Sequence, residues 1–181
     1  MSGVILTIIE TTNPAGIPVS RVEISDTVVL ESLLGILQDN VLCSMATVTP
    51  DHRAHINTAY YCYSDELELY FLSHPSSHHC RNLSANPSMA LTVFSSAQKW
   101  GGQDRGLQLF GTCAPAGESQ AIKAEELYGR RFPAFSKWKK DLAPDDFGRE
   151  YRFYQFLASE VKVFDERNLG GGLFVLASVM R

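Results

Sequence analysis

Residues 73–88 read SHPSSHHCRNLSANPS and bring His78, His79 and Arg81 together between two apolar runs, Leu67 to Leu72 and Met89 to Phe94. A solvated loop needs no such cluster, whereas a phosphate pocket or a metal site does. Pro75 and Ser76 or Ser77 suit the first turn of a short helix, and Asn86-Pro87 stops it. A helix start offers unpaired N–H groups and the positive end of its dipole, both attractive to an anion. His78 and His79 can donate hydrogen bonds while neutral, and a nearby dianion favours their charged forms. Arg81 adds a permanent charge three residues after His78, on the same helical face. A metal draws on the same stretch. His52, His55, His74, His78 and His79 all fall between residues 52 and 79, with Cys80 adjacent. His74 and His78 have the spacing of zinc-binding helices, but Pro75 sets His74 ahead of the helix and no carboxylate pattern completes a set. No metal site is expected.

Other chemistry finds little support. No G-x-S-x-G is present and no Cys-His pair has a recognised context, so a protein nucleophile is not expected. No G-x-G-x-x-G precedes a helix, and the strands follow one another too closely for repeated βαβ units. The 181 residues are 45% hydrophobic and 20% charged, a globular composition able to bury a core within one domain. A net charge of −4 does not favour nucleic acid. No apolar run approaches the ~20 residues that span a bilayer, and the N-terminus lacks the pattern of a signal peptide. Cys43, Cys62 and Cys113 sit in apolar, strand-like runs, and no C-x-x-C occurs, which implies free thiols in a reducing cytoplasm.

The elements that must position the cluster follow from periodicity. Val4–Ile9 and Val19–Ile24 are short β-prone pieces around NPAGIP. Val29, Leu33, Leu34 and Leu37 share one helical face, with Ser25 or Asp26 as N-cap. From Val41 the pattern changes to strands: VLCSMATV, AHINTAYYCY and LELYFLS form a meander. SMALTVFSS and GLQLFGTCAPA are the next two strands. In the latter, Leu107, Leu109 and Thr112 are expected to face inward around a bulge or bend at Gly111. SQAIKAEELYGRRF is an amphipathic helix capped by Ser119, and residues 133–149 are irregular or weakly helical. YRFYQFLASEVKVFDE supplies one or two closing strands, and GGGLFVLASVM a tail for a sheet edge. The expected architecture is mainly β (α+β), a barrel of six or more antiparallel strands with short flanking helices.

The pieces ATVTPDHRAHINTAYYCY, LELYFLSHPSSHHCRNLSANPSMALTVF, GLQLFGTCAPA and RFYQFLASEVKVFDER, in that order, resemble the pyridoxamine 5′-phosphate oxidase-like FMN-binding split-barrel family. The run Ser77 to Pro87, S-x-x-x-R-N-L-x-x-N-P, is the most specific element. The resemblance covers a core of about residues 41–166. It implies a split β-barrel homodimer with FMN in clefts between subunits. Carried onto this chain, it places the flavin ring along Asn57, Thr58, Ala59 and Tyr60, and ends the next strand at Leu72 and Ser73. It turns Ser77, His78 and His79 to the phosphate, and brings Gln108 from the partner subunit.

Departures from the oxidase pattern narrow the expected activity. His78-His79 stand where the oxidase has Arg-Lys, and Cys62 where it has a lysine near the ring. Tyr128 and Ser136 have a suggestive spacing for substrate contact, but Arg131 is one place from the expected arginine. LGGGLFVLASVMR has no counterpart of the oxidase's C-terminal segment. The resemblance therefore implies a flavin-dependent oxidoreductase acting on a small organic molecule other than pyridoxamine phosphate, with NAD(P)H as a possible partner. The alternatives are a non-catalytic flavin or haem binder and a reductase using F420. Few lysines or arginines lie near residues 54–80 to hold that cofactor's long anionic tail. Trp100, in a glycine-bearing loop, is a candidate cap for a substrate cleft.

Overall fold

The computed structural model describes residues 4–20 and 23–181. Strand β1 (Ile5–Thr12) leads into helix α1 (Asp26–Asp39), then β2 (Leu42–Val48), β3 (Ala54–Tyr63) and β4 (Glu68–Ser73). Helix α2 (His78–Ala85) precedes β5 (Ser88–Phe94) and β6 (Arg105–Pro115). Helices α3 (Glu118–Arg131) and α4 (Ala134–Asp141) and a single 3-10 turn (Phe147–Glu150) lead to β7 (Arg152–Asp165) and β8 (Phe174–Met180). The order β7-β4-β3-β2-β5-β6, with β6 pairing back to β7, closes a six-stranded antiparallel barrel. β8 and β1 extend the sheet beyond β7. Of the β-prone piece Val19–Ile24, Arg21 and Val22 lie outside the described residues. Just before them, Pro18 forms a bridge with Thr12 and Val19 N–H donates to the Thr11 carbonyl.

Alternation fills the barrel. Cys43, Met45 and Thr47 of β2, Met89, Leu91 and Val93 of β5, and Leu107, Leu109 and Cys113 of β6 are buried. Thr112 is exposed, contrary to expectation. The bulge lies in the partner strand: Phe110 pairs with Glu160 and Gly111 with Ala158, so Ser159 is the extra residue. β6 keeps its period, while β7 switches phase from Phe156 and Ala158 to Val161 and Val163. Gly111 allows this approach, because a Cβ there would stand 2.0 Å from the Leu157 carbonyl oxygen.

Helix α1 packs Val29, Leu33, Ile36 and Leu37 onto the barrel. Ser25 is its N-cap, its hydroxyl accepting from Val28 N–H at 3.4 Å, and Asp26 accepts from Ile8 N–H at 3.2 Å. Its last carbonyls are capped from afar. The Arg131 guanidinium donates to Leu37 and Asn40 carbonyls at 2.7 and 2.6 Å, and the Tyr61 hydroxyl lies 2.9 and 2.8 Å from the same two oxygens. Arg131 also lies over the Tyr61 and Tyr63 rings, at 5.0 and 5.2 Å. Helix α3 begins at Glu118 with Gly117 as N-cap, so Ser119 lies inside its first turn and its hydroxyl turns to Gln120. Residues 133–149 are more ordered than their composition suggests, because Phe135 of α4 buries against Tyr128, Phe153 and Trp138. No helix among the described residues is long and apolar enough to cross a membrane.

Candidate functional site

Strand β3 has ten residues, yet β4 pairs only with its last three, Tyr61 to Tyr63. Along Ala54–Tyr60 one edge pairs with β2 and the other has no strand partner among the described residues. A free strand edge is a row of unused backbone donors and acceptors. β4 meanwhile turns away to pair with β7 through Ser73. The wedge between the two strands is a cleft of about 590 Å³. Asn57, Thr58, Ala59 and Tyr60 form one wall, and Leu72, Ser73 and His79 its floor. Tyr128 and Phe132 at the end of α3, Ala134, Phe135 and Trp138 of α4, and Tyr151 form the opposite wall. Tyr60 meets Phe132 edge to face, with ring centroids 5.5 Å apart. The lining holds no carboxylate, lysine or arginine.

At one end of the cleft Ser73, Ser77 and His79 form a compact polar group. The Nε2 atom of His79 lies 2.8 Å from Ser73 Oγ and 3.2 Å from Ser77 Oγ, and the two hydroxyls are 3.3 Å apart. His79 is buried, and desolvation pushes its pKa below the ordinary imidazole value, so it sits neutral. Ser77 is the N-cap of α2 but makes no side-chain cap bond, which leaves the helix's first N–H groups without one. His78 stacks obliquely on His55 of β3, ring centroids 4.3 Å apart. The Nδ1 atom of His55 is buried without a hydrogen-bond partner. Arg81 turns back, donating to the Ser76 carbonyl at 2.5 Å.

Seven of the ten residues expected at a cofactor site thus line one cleft, Ser77 joins its polar end through Ser73 and His79, and His78 follows Ser77 at the start of α2, exposed and outside the lining. Gln108 lies elsewhere. It is exposed on the outer face of β6, at a separate depression of about 270 Å³ shared with Lys162, Phe164 and Phe174. Cys62 does not line the cleft. It is buried under α3, its thiol 3.8 Å from the Ala124 carbonyl, and burial raises its pKa to about 12. Arg131 caps α1 and Ser136 is away from the lining, while Tyr128 is part of it. Trp100 is fully exposed on its loop and also absent from the lining. The histidines do not converge on one point: His74 sits 3.2 Å from Glu150 and accepts from Ser76 N–H. No group of three or more histidine, cysteine or acidic side chains able to hold a metal occurs among the described residues.

Sequence reasoning weighed His55 only for a metal and missed most of the aromatic wall. Tyr128, Phe132 and Phe135 recur at i, i+4 and i+7, a helical stripe that runs through the α3–α4 break and signals a shared face. Trp138 and Tyr151 carry no local signal.

A protein-family model described as Pyridoxamine 5′-phosphate oxidase matches residues 29–147, about two thirds of the chain and all but Tyr151 of the cleft lining. The chain belongs to the pyridoxamine 5′-phosphate oxidase family. Solved structures with the family's barrel align closely at low identity. HutZ, a haem storage protein from Vibrio cholerae, is 16% identical with a TM-score of 0.58, over 81% of this chain and 93% of that one. A haem-binding protein from Mycobacterium smegmatis is 16% identical with a TM-score of 0.64, over 87% of this chain and 59% of that one. Atu2129 of Agrobacterium tumefaciens, of unknown function, is 19% identical with a TM-score of 0.58, over 71% of this chain; this chain spans only 52% of its length. At these identities the likeness concerns the fold. No curated protein matches the chain.

Proposed function

We propose that this member of the pyridoxamine 5′-phosphate oxidase family binds FMN in the β3–β4 cleft and acts, as a homodimer, as a flavin-dependent oxidoreductase on a small organic molecule. The observation that carries the reading is the free β3 edge beside a hydroxyl–imidazole group. A pyrimidine-like ring rim needs alternating donors and acceptors, which a strand edge offers. A phosphate needs several donors at one point; Ser73, Ser77 and the first N–H groups of α2 are grouped at one, and His78 begins that helix. The orphaned His55 Nδ1 is a further group that fits an incoming anion. FMN would supply hydride transfer at its N5 atom. The chain's part is to hold the ring on β3, to exclude water with the aromatic wall, and to fix the phosphate by means of hydroxyls that His79 orients. The cation-free lining disfavours F420, whose long tail is anionic. A reducing cytoplasm is the compartment proposed, with NAD(P)H as donor; all four thiols are buried and free.

A non-catalytic haem binder is the second reading. Two similar structures are haem proteins, and His55, a half-buried imidazole, has a buried Nδ1 without a hydrogen-bond partner. Titrating the purified protein with FMN and with haemin separates the two. FMN should bind one per chain and quench Trp138, and NAD(P)H should bleach the flavin band, which an electron-accepting substrate should restore. Trp138→Phe should remove the quenching and Trp100→Phe leave it. Tight haemin binding with a Soret shift and no FMN uptake would replace the proposal with the second reading.

A further inference from the structure

We infer that His55 and His78 together form a proton-accepting grip, so that binding of the flavin phosphate is coupled to proton uptake from solvent. The inference rests on the FMN reading for the identity of the anion. Strand alternation puts His55 on the same face as Asn57 and Ala59, two residues beyond the cleft wall. Helix α2 lays His78 against it at 4.3 Å. The buried, unpartnered Nδ1 of His55 is costly in the free protein and is the kind of atom a ligand satisfies. Two imidazoles this close cannot both carry charge without repulsion, and desolvation, with His78 and His79 nearby, holds the His55 pKa below its ordinary value.

The charged and polar groups around them are engaged or exposed: Asp51 accepts from Thr49, and Arg53, just before β3, is exposed. From α2, His79 is committed to Ser73 and Ser77, and Arg81 to the Ser76 carbonyl. From β2, the residue opposite His55 is Thr47, whose hydroxyl accepts from Asn82. Neither His55 nor His78 is in an ion pair among the described residues. A dianion reverses the balance: His55, on taking a proton from water, becomes an imidazolium paired to phosphate oxygen, with the His78 ring stacked beside it. Arginine and lysine would hold the same anion without proton exchange, so the device follows from the histidines of this chain.

Calorimetry of FMN binding near neutral pH, in two buffers of different ionisation heat, counts the protons. Wild type should take up a substantial fraction of one proton per site, and above neutrality its affinity should fall by up to about tenfold per pH unit. His55→Gln should lose most of that uptake and bind FMN about tenfold more weakly. Riboflavin, which lacks the phosphate, should bind both proteins alike with no proton uptake. FMN binding without proton uptake, or equal uptake in His55→Gln, overturns the inference and leaves the FMN reading standing. Failure of both FMN and riboflavin to bind overturns both. Should His55→Gln not fold, imidazole nitrogen NMR of wild type decides: FMN must move His55 toward its protonated form, and an unmoved His55 overturns the inference.

Discussion

A single buried imidazole organises the polar end of the cleft. His79 touches both Ser73 and Ser77, and burial keeps it neutral. Above the unfolded imidazole value of about 6.5 the group is neutral in both states and adds no pH dependence. Below it, the unfolded chain binds a proton that the folded chain refuses, because the folded pKa is depressed. Stability should therefore fall as pH drops from that value toward the folded one. Urea midpoints across the acidic range should show this slope, and His79→Asn should flatten it. An unchanged slope in the variant would mean that other groups carry it. The polar cluster was legible in the sequence because histidine and serine at a helix start contrast with the apolar runs around them. The pairing of His78 with His55 was not, since those residues meet only when α2 folds across β3. The structural role of Arg131 was not legible for a related reason: its partners, Leu37 and Asn40, lie far away in the chain.

At the scale of elements, two contacts hold the frame of the cleft. Gly111 lets β6 approach the β7 bulge, and even alanine there would press a methyl onto the Leu157 carbonyl and the Ala158 backbone. Gly111→Ala should cost about 1–3 kcal/mol in unfolding free energy, as overpacking does. Arg131 ties the start of the aromatic wall to the end of α1. Arg131→Met should destabilise by about 1–3 kcal/mol, because partly buried carbonyls lose a charged donor. Thermal and urea unfolding check both, and wild-type stability in either variant would remove that contact from the frame. The sequence located the helices and strands of the barrel well, since each has its own period, cap or turn. It placed the bulge beside Gly111 but on the wrong strand: a glycine marks close approach without saying which chain carries the extra residue. The free edge of β3 was hidden for the same physical reason. AHINTAYYCY reads as one strand, and only the divergence of β4 reveals which part lacks a neighbour.

For the whole molecule, the outer face of the barrel is unusual for a free surface. Register aligns Ile56, Ala46, Ala90 and Phe110 in one row across β3, β2, β5 and β6. Ile56 is 73% and Phe110 37% exposed, and Phe94, at 50%, lies on the same face. The next row, Thr58, Ser44, Thr92 and Gln108, runs parallel to it. A continuous apolar strip of this kind marks a surface meant to be covered. Thr58 and Tyr60 belong both to this face and to the cleft wall, so a second copy seated on the strip would also roof the cleft. In such a dimer Gln108, on the same face, would be available to the partner's cleft rather than to its own. Phe110→Glu places a charge in the strip while leaving the barrel interior untouched. It should melt near wild type yet sediment as a monomer, and its FMN affinity should fall at least about tenfold, since a charge at a desolvated interface costs several kcal/mol. If sedimentation instead shows a monomer that holds FMN as tightly as wild type, the cleft is complete within one chain and the strip serves another contact.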